Sequence, residues 1–226
     1  MSAPSTTGIK FAYVFTVILA IITTSIIYTM PLAERTQLLR EGGPIEGLSA
    51  AGYIVVLIYA IVIFSNRYIK QYHYLLLLIA FFAMRELDFD KRFTTMGVLK
   101  SKFLVSPDVP LLQKVIGGLV LALLIYCVVY TLLLHGRPLV KRLFNPALHH
   151  WGILLGLACM VFSKSVDGLG RKVKGWTGYE LDYVTVKNAS ALEECLELFI
   201  PLFFLLAFVA YARLIASPQQ LRSGSP

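Results

Sequence analysis

The feature that most constrains this chain is a series of apolar segments, each close to the length of a membrane-crossing helix. A helix needs about 20 mostly apolar residues to cross the hydrocarbon layer of a bilayer. The segments that meet this length cover approximately residues 11–32, 45–64, 72–92, 114–134, 149–167 and 193–215. The sequence therefore predicts an all-α, polytopic integral membrane protein, a six-transmembrane-helix bundle with interfacial loops.

Composition excludes the other large classes of protein. Hydrophobic residues make up 57% of the chain, charged residues only 15%, and the mean hydropathy is +0.71. A soluble domain usually has about 25% charged residues, so an ordinary soluble enzyme, a disordered chain and a coiled coil are excluded. The net charge of +8 comes from basic residues placed between the apolar runs. We therefore expect no nucleic-acid partner.

The loops between these segments are too short to form a second core, so residues 11–215 are predicted to be one transmembrane domain. The first segment ends in Met30-Pro31-Leu32 without a small-residue cleavage site, and residues 1–10 lack a basic n-region. It therefore resembles a retained span more than a secretory signal. The polar residues 216–226 are predicted to be a flexible tail.

Charge separates the two ends of the predicted bundle. All 13 acidic residues, and 13 of the 21 basic ones, fall on the side of loops one, three and five. The raw basic count would place that side in the cytoplasm, but its acids balance its bases. The purely basic loops at Arg67–Lys70 and Arg137–Arg142 are typical of cytoplasmic anchors. We expect both termini in the cytoplasm, in a bacterial inner (plasma) membrane.

Several charged residues are predicted to lie at one depth near the outer end of the bundle. The apolar part of the third segment, Tyr74 to Met84, has only 11 residues, so a full crossing draws its charged end into the bilayer. Counting about 1.5 Å per residue along the other segments leads to the same level. The residues at this depth are Glu46, Arg85, Glu86, Lys164, Glu194 and Glu197. Charges within a span normally face a cavity or a partner, which predicts a polar site shared by four helices.

The leading hypothesis is a charged pocket in the outer leaflet that binds or processes an anionic, amphipathic lipid or lipid-linked substrate. Arginine can bind a phosphate with two hydrogen bonds, and buried carboxylates can exchange protons. The predicted substrate-binding residues are Arg85, Lys164, Arg171, Glu46 and Asp88. The predicted catalytic residues are Glu86, Glu194 and Glu197. The hypothesis covers a lipid-binding protein as well as an enzyme.

The same carboxylates, Glu86, Glu194 and Glu197, are candidate ligands for Mg²⁺, Ca²⁺ or Mn²⁺, which prefer oxygen donors. A carboxylate as deep as Glu197 should be protonated, paired with a base or bound to a cation. All four histidines fall on the opposite, basic side, which argues against haem and against zinc beside the carboxylates. Ser190 and Glu193 fit the spacing of a capping box.

Other functions stay open at this point. The charged level could serve a proton- or ion-coupled transporter or channel, or a non-catalytic subunit that docks a partner through its charged face. It could also be a structural network of salt bridges. Loop three (93–111) and loop five (167–183) are interpreted as interfacial segments. Membrane lipids are the expected partners, and homo- or hetero-oligomers remain alternatives.

Overall fold

The computed structural model describes residues 6–40 and 42–216. Of these residues 80% are helical and none forms a strand, so the predicted all-α class is confirmed. Residues 1–5 and 217–226, which include half of the predicted N-terminal segment and nearly all of the predicted tail, lie outside the described residues.

Long helices are separated by shorter helices along the chain. The first half contains α1 (Thr6–Thr29), α2 (Leu32–Leu38), α3 (Pro44–Ile63), α4 (Asn66–Gln71), α5 (His73–Glu86) and α6 (Phe89–Phe93). The second half contains α7 (Leu111–Thr131), a π-helical turn (Leu132–Gly136), α8 (Arg137–Lys141), α9 (Leu148–Val166), α10 (Leu169–Thr177) and α11 (Tyr183–Ala216).

Four helices in the described part are long and apolar enough to cross a membrane by length and composition: α1, α3, the continuous stretch Leu111–Lys141, and α11. A fifth is added if α9 and α10, bent by 56° at a short break, count as one broken span. These apolar helices are compatible with a multi-pass membrane protein.

The third predicted segment does not form one continuous helix. Its helix α5 ends at Glu86, and Asp88 has a φ of 50°, in the left-handed region that an L-residue seldom adopts. Because of this break, Glu86 and Asp90 do not share one helix face, as they would four residues apart on a continuous helix. Asp88 instead starts the short helix α6 and forms a 2.8 Å ion pair with Lys91.

Helix α11 begins at Tyr183, well before the predicted start of the last span. With 34 residues it is about 51 Å long. The capping-box interpretation of Ser190 is therefore wrong, because Ser190 lies inside the helix and donates to the Val186 carbonyl. The N-terminal cap is Asp182, whose carboxylate accepts from the backbone N–H and hydroxyl of Thr185. These hydrogen bonds hold the pKa of the Asp182 carboxyl below its usual value.

The chain divides into two compact units. The first comprises Met1–Gly52 and Asn145–Pro226, and the second comprises Tyr53–Phe144. In the first unit α9 packs along α11, and glycines on α9 make this approach close. A Cβ added at Gly152 would lie 2.5 Å from the Phe203 carbonyl oxygen. Small residues four apart allow helix backbones to approach in this way, and Gly156 beside the Phe204 ring is the second.

In the second unit α5 packs on α7, and loop three folds onto the N-terminal half of α7. Phe103 is fully buried in a cluster with Val98 and Val109. Its ring occupies the space where a Cβ on Gly117 would be. Because Gly117 has no side chain, loop three can pack against the helix at this point.

We expect Gly117→Ala to destabilise the second unit by about 1–3 kcal/mol, the usual cost of overpacking a core. The neighbouring Gly118→Ala is the matched control, since its Cβ would meet only Leu104, at an ordinary 3.8 Å. Thermal unfolding of the detergent-solubilised protein measures both. Equal melting temperatures for the two variants would contradict this packing of loop three.

Candidate functional site

The most buried acidic group among the described residues of the first unit is Glu197 on α11, which is 5% exposed. Its Oε1 accepts a hydrogen bond from Ser163 Oγ at 2.7 Å and lies 3.1 Å from Lys164 Nζ. A buried carboxylate needs such partners, because its desolvation is otherwise uncompensated. Of the three states expected for Glu197, the structure has the pairing with a base.

Lys164 is surrounded by acidic side chains. Its Nζ lies 3.1 Å from Glu197, 3.4 Å from Glu193 and 3.2 Å from Asp167. We call these four residues the carboxylate cluster. It has three carboxylates for one ammonium group, and the lysine side chain is 43% exposed. An arrangement with this excess of carboxylates can hold a proton between neighbouring groups.

The local helices explain why these side chains meet. Glu193 and Glu197 are four residues apart and share one face of α11. Lys164 is in the last turn of α9, and Asp167 is the residue that ends this helix. The close packing of α9 on α11 then brings the two pairs together.

The backbone carbonyl of Glu197 also lacks its usual hydrogen-bond donor within the helix. Pro201, four residues later in the same helix, has no N–H, so the Glu197 carbonyl loses its helical hydrogen bond. Ser49 Oγ donates to this carbonyl at 3.1 Å, and Ser49 is 1% exposed. The proline ring fits there because α3 has Gly52 beside it. Sequence reasoning missed Ser49 and Gly52, and the signal was the proline four residues after a buried glutamate.

Helix α10 adjoins the carboxylate cluster. Lys172 Nζ on α10 donates to the Lys164 carbonyl at 2.7 Å. The helix lies between Gly168 and Gly178, which have φ values of 61° and 73° that favour glycine. Within loop five, which the sequence predicts to be an interfacial segment, residues 169–177 form an amphipathic helix. Its Trp176 is 80% exposed.

Three further predicted site residues lie in the first unit. Glu46, in the first turn of α3, accepts a hydrogen bond from the backbone N–H of Gly42. Glu194 lies on α11 between two members of the carboxylate cluster and is half-buried. Arg171 is exposed on α10, with its guanidinium over Gly168.

The remaining predicted site residues, Arg85, Glu86 and Asp88, lie in the second unit. Glu86 is 7% exposed and its Oε1 is 3.4 Å from Arg85 Nη1. A second polar contact of this unit joins Tyr74 to His135 in the π-helical turn, with 2.6 Å between Oη and Nε2. The Tyr130 ring packs edge-on against Tyr74, 4.8 Å away, which makes this an aromatic cluster.

Across residues 6–40 and 42–216, no group of three or more His, Cys, Asp and Glu side chains is arranged to hold a metal ion. The divalent-cation hypothesis for Glu86, Glu194 and Glu197 therefore has no ligand set in that part of the chain.

No known protein family matches the chain, and no curated protein or solved structure is significantly similar to it. The functional argument consequently rests on the geometry and chemistry of its own residues.

Proposed function

We propose that this chain is a multi-pass membrane protein that binds an anionic, amphipathic lipid or lipid-linked molecule at the depth of the lipid head groups. The observation that supports this most is helix α10, which is basic and amphipathic, has an exposed tryptophan, and is bent 56° from α9. Such helices lie in the membrane interface, where tryptophan is also favoured. Lys172 joins this helix directly to the carboxylate cluster.

The proposed topology has six crossings, formed by α1, α3, α5, residues 111–141, α9 and α11. Helix α5 has 14 residues and a length of about 21 Å, against a hydrocarbon layer of about 30 Å. Its flanking residues, including Tyr72 and Leu87, would complete that crossing within the interfaces. The crossing is proposed because the segments on both sides of α5, helix α4 and residues 87–92, are polar and charged.

Six crossings place both termini on one side of the membrane. We assign that side to the cytoplasm because the short loops around Arg67–Lys70 and Arg137–Arg142 are purely basic. In this orientation α10 and the carboxylate cluster face the outer leaflet of a bacterial inner membrane.

Arg171 is the principal proposed head-group ligand of the predicted set. Within the described part of the chain it forms no ion pair, whereas Lys164 already contacts three carboxylates. Glu46 is proposed as a further ligand in the first unit, and Arg85 and Asp88 are proposed as head-group ligands of the second unit. For a reaction on a bound molecule, the proposed acid–base groups are Glu194 and Glu197 in the first unit, and Glu86 is the proposed acid–base group of the second unit.

Native mass spectrometry of the protein released from phosphatidylglycerol-containing micelles tests the proposal. Arg171→Gln should reduce the retained phosphatidylglycerol by about tenfold, the effect of losing one charge-assisted contact. Lys141→Gln, a basic residue of α8 at the proposed cytoplasmic end, is the matched control and should retain the lipid. Equal retention by the two variants would contradict the assignment of Arg171.

A second candidate function is proton-coupled transport. It is favoured by the three carboxylates within 3.4 Å of Lys164 Nζ, since such a group can take up and release a proton. Proton flux into liposomes that disappears in Glu197→Gln would support transport. No flux in the wild-type protein would exclude it in favour of lipid binding.

A further inference from the structure

A buried arginine outside the predicted site has no anionic partner among the described residues. Arg35, on α2, is 5% exposed, and its Nε is buried without a hydrogen-bond partner. Within residues 6–40 and 42–216 its guanidinium forms no ion pair. The guanidinium lies over the ring of Tyr28, with 6.0 Å between the guanidinium carbon and the ring centroid.

This arrangement is costly without a further partner. A guanidinium carries five N–H donors and remains charged at any physiological pH. A cation–π contact at this distance is worth far less than the desolvation of a buried charge. Buried arginines are therefore normally paired with a carboxylate or a phosphate, often through two parallel hydrogen bonds.

Two further cations lie on the elements near Arg35. Tyr28 Oη donates to the Asn188 carbonyl at 3.0 Å, which places Arg35 close to this turn of α11. Lys187 belongs to the same turn and lies over the ring of Tyr183 rather than beside a carboxylate. Helix α10 reaches this level too, because a Cβ on Gly170 would lie 2.8 Å from Val186.

Three cations are thus grouped around one turn of α11: Arg35, Lys187 and Arg171. No acidic side chain in the described ranges forms an ion pair with any of them. The carboxylate cluster begins at Glu193, about 7.5 Å further along the helix axis from Asn188. Along the axis of α11, a group of cations from α2, α10 and α11 is therefore followed by a group of carboxylates.

We infer that Arg35 binds an oxyanion, the phosphate or carboxylate of a small anionic group, with Lys187 and Arg171 adding positive charge around it. This inference rests on the proposed function and deepens it, because it makes Arg35 the main ligand of the head group. The shared chemistry is an oxyanion held by a planar guanidinium. Its source is either a lipid head group or a free anion.

The experiment compares wild type, Arg35→Gln, Arg35→Lys and Arg40→Gln in micelles that contain equal amounts of phosphatidylglycerol and phosphatidylcholine. Arg40 is the matched control, since it is an exposed arginine five residues along the same connection. Native mass spectrometry counts the bound lipids. A thermal melt with and without phosphatidylglycerol, and with millimolar inorganic phosphate, measures the stabilisation by each anion.

We expect Arg35→Gln to retain about tenfold less phosphatidylglycerol than wild type, or less still, and an unchanged amount of phosphatidylcholine. Arg40→Gln should retain both lipids as wild type does. Arg35→Lys keeps the charge but not the paired donors, and should retain an intermediate amount. Without anionic lipid, Arg35→Gln should melt no lower than wild type, because it removes an uncompensated charge. Stabilisation by phosphate alone, dependent on Arg35, would identify a free anion as the ligand.

Two outcomes would overturn the inference. Retention of phosphatidylglycerol by Arg35→Gln at the wild-type level would reject Arg35 as the ligand. If Arg171→Gln still lost the lipid, the proposed function would survive. A lower melting temperature of lipid-free Arg35→Gln would assign Arg35 a structural role. Wild-type protein that retains neither lipid would instead reject the proposed function itself.

Discussion

Gly152→Ala is expected to destabilise the first unit by about 1–3 kcal/mol, since overpacking a close helix contact costs this much. The added Cβ would lie 2.5 Å from the Phe203 carbonyl oxygen, 2.7 Å from Tyr13 Oη and 2.8 Å from the Ala207 Cβ. One of these atoms is backbone, so a side-chain rotation cannot relieve the overlap and α9 must move away from α11. Unfolding in mixed micelles of mild detergent and SDS measures the change.

Gly47→Ala is the matched control for this prediction. Gly47 is also helical, in α3 of the same unit, but a Cβ there would have no neighbour within 4 Å. Alanine in an open helical position is neutral or stabilises by up to about 1 kcal/mol. A Gly152→Ala protein as stable as Gly47→Ala would show that α9 and α11 are not this close.

Lys164→Met is expected to destabilise the protein by about 2 kcal/mol, below the 3–5 kcal/mol typical of breaking a buried pair because the lysine is partly exposed. Methionine keeps the length of the side chain but removes the ammonium group. Glu197, Glu193 and Asp167 are then left to repel one another. The same micellar unfolding measures the loss.

Adding Glu197→Gln to Lys164→Met should recover at least half of the lost stability, because the neutral amide still accepts from Ser163 without needing a counter-charge. Lys174→Met is the control, since its ion pair with Glu180 joins side chains that are 62% and 69% exposed. Exposed pairs contribute little, so we expect a change below about 0.5 kcal/mol. Equal effects at Lys164 and Lys174 would contradict the burial of the carboxylate cluster.

The apolar pattern predicted the all-α class and most of the long helices, because length and hydropathy are local properties of a sequence. It failed where one backbone angle decides the structure. The left-handed Asp88 ends the third segment early, and the left-handed glycines 168 and 178 enclose a helix in loop five. The cap of α11 was also misplaced, since both Asp182 and Ser190 precede helix-forming residues and the pattern alone does not choose between them.

The depth of Glu197 in the last span indicated that it would be protonated, paired with a base or bound to a cation, and the structure has the pairing with Lys164. It did not indicate which neighbours would satisfy the backbone, because the contact of Ser49 with the Glu197 carbonyl joins residues far apart in the chain. Arg35 was missed for the same reason. It falls in a polar connection, and only the packing of α2 buries it.

The most direct test of the account is a lipid competition with the wild-type protein. The protein is exchanged into micelles with equal amounts of phosphatidylglycerol and phosphatidylcholine, and native mass spectrometry counts the lipids that remain bound after release. The account predicts that phosphatidylglycerol is retained in clear preference, because the proposed oxyanion ligands Arg35, Lys187 and Arg171 favour an anionic head group. Equal retention of the two lipids, or a protein without bound lipid, would contradict it.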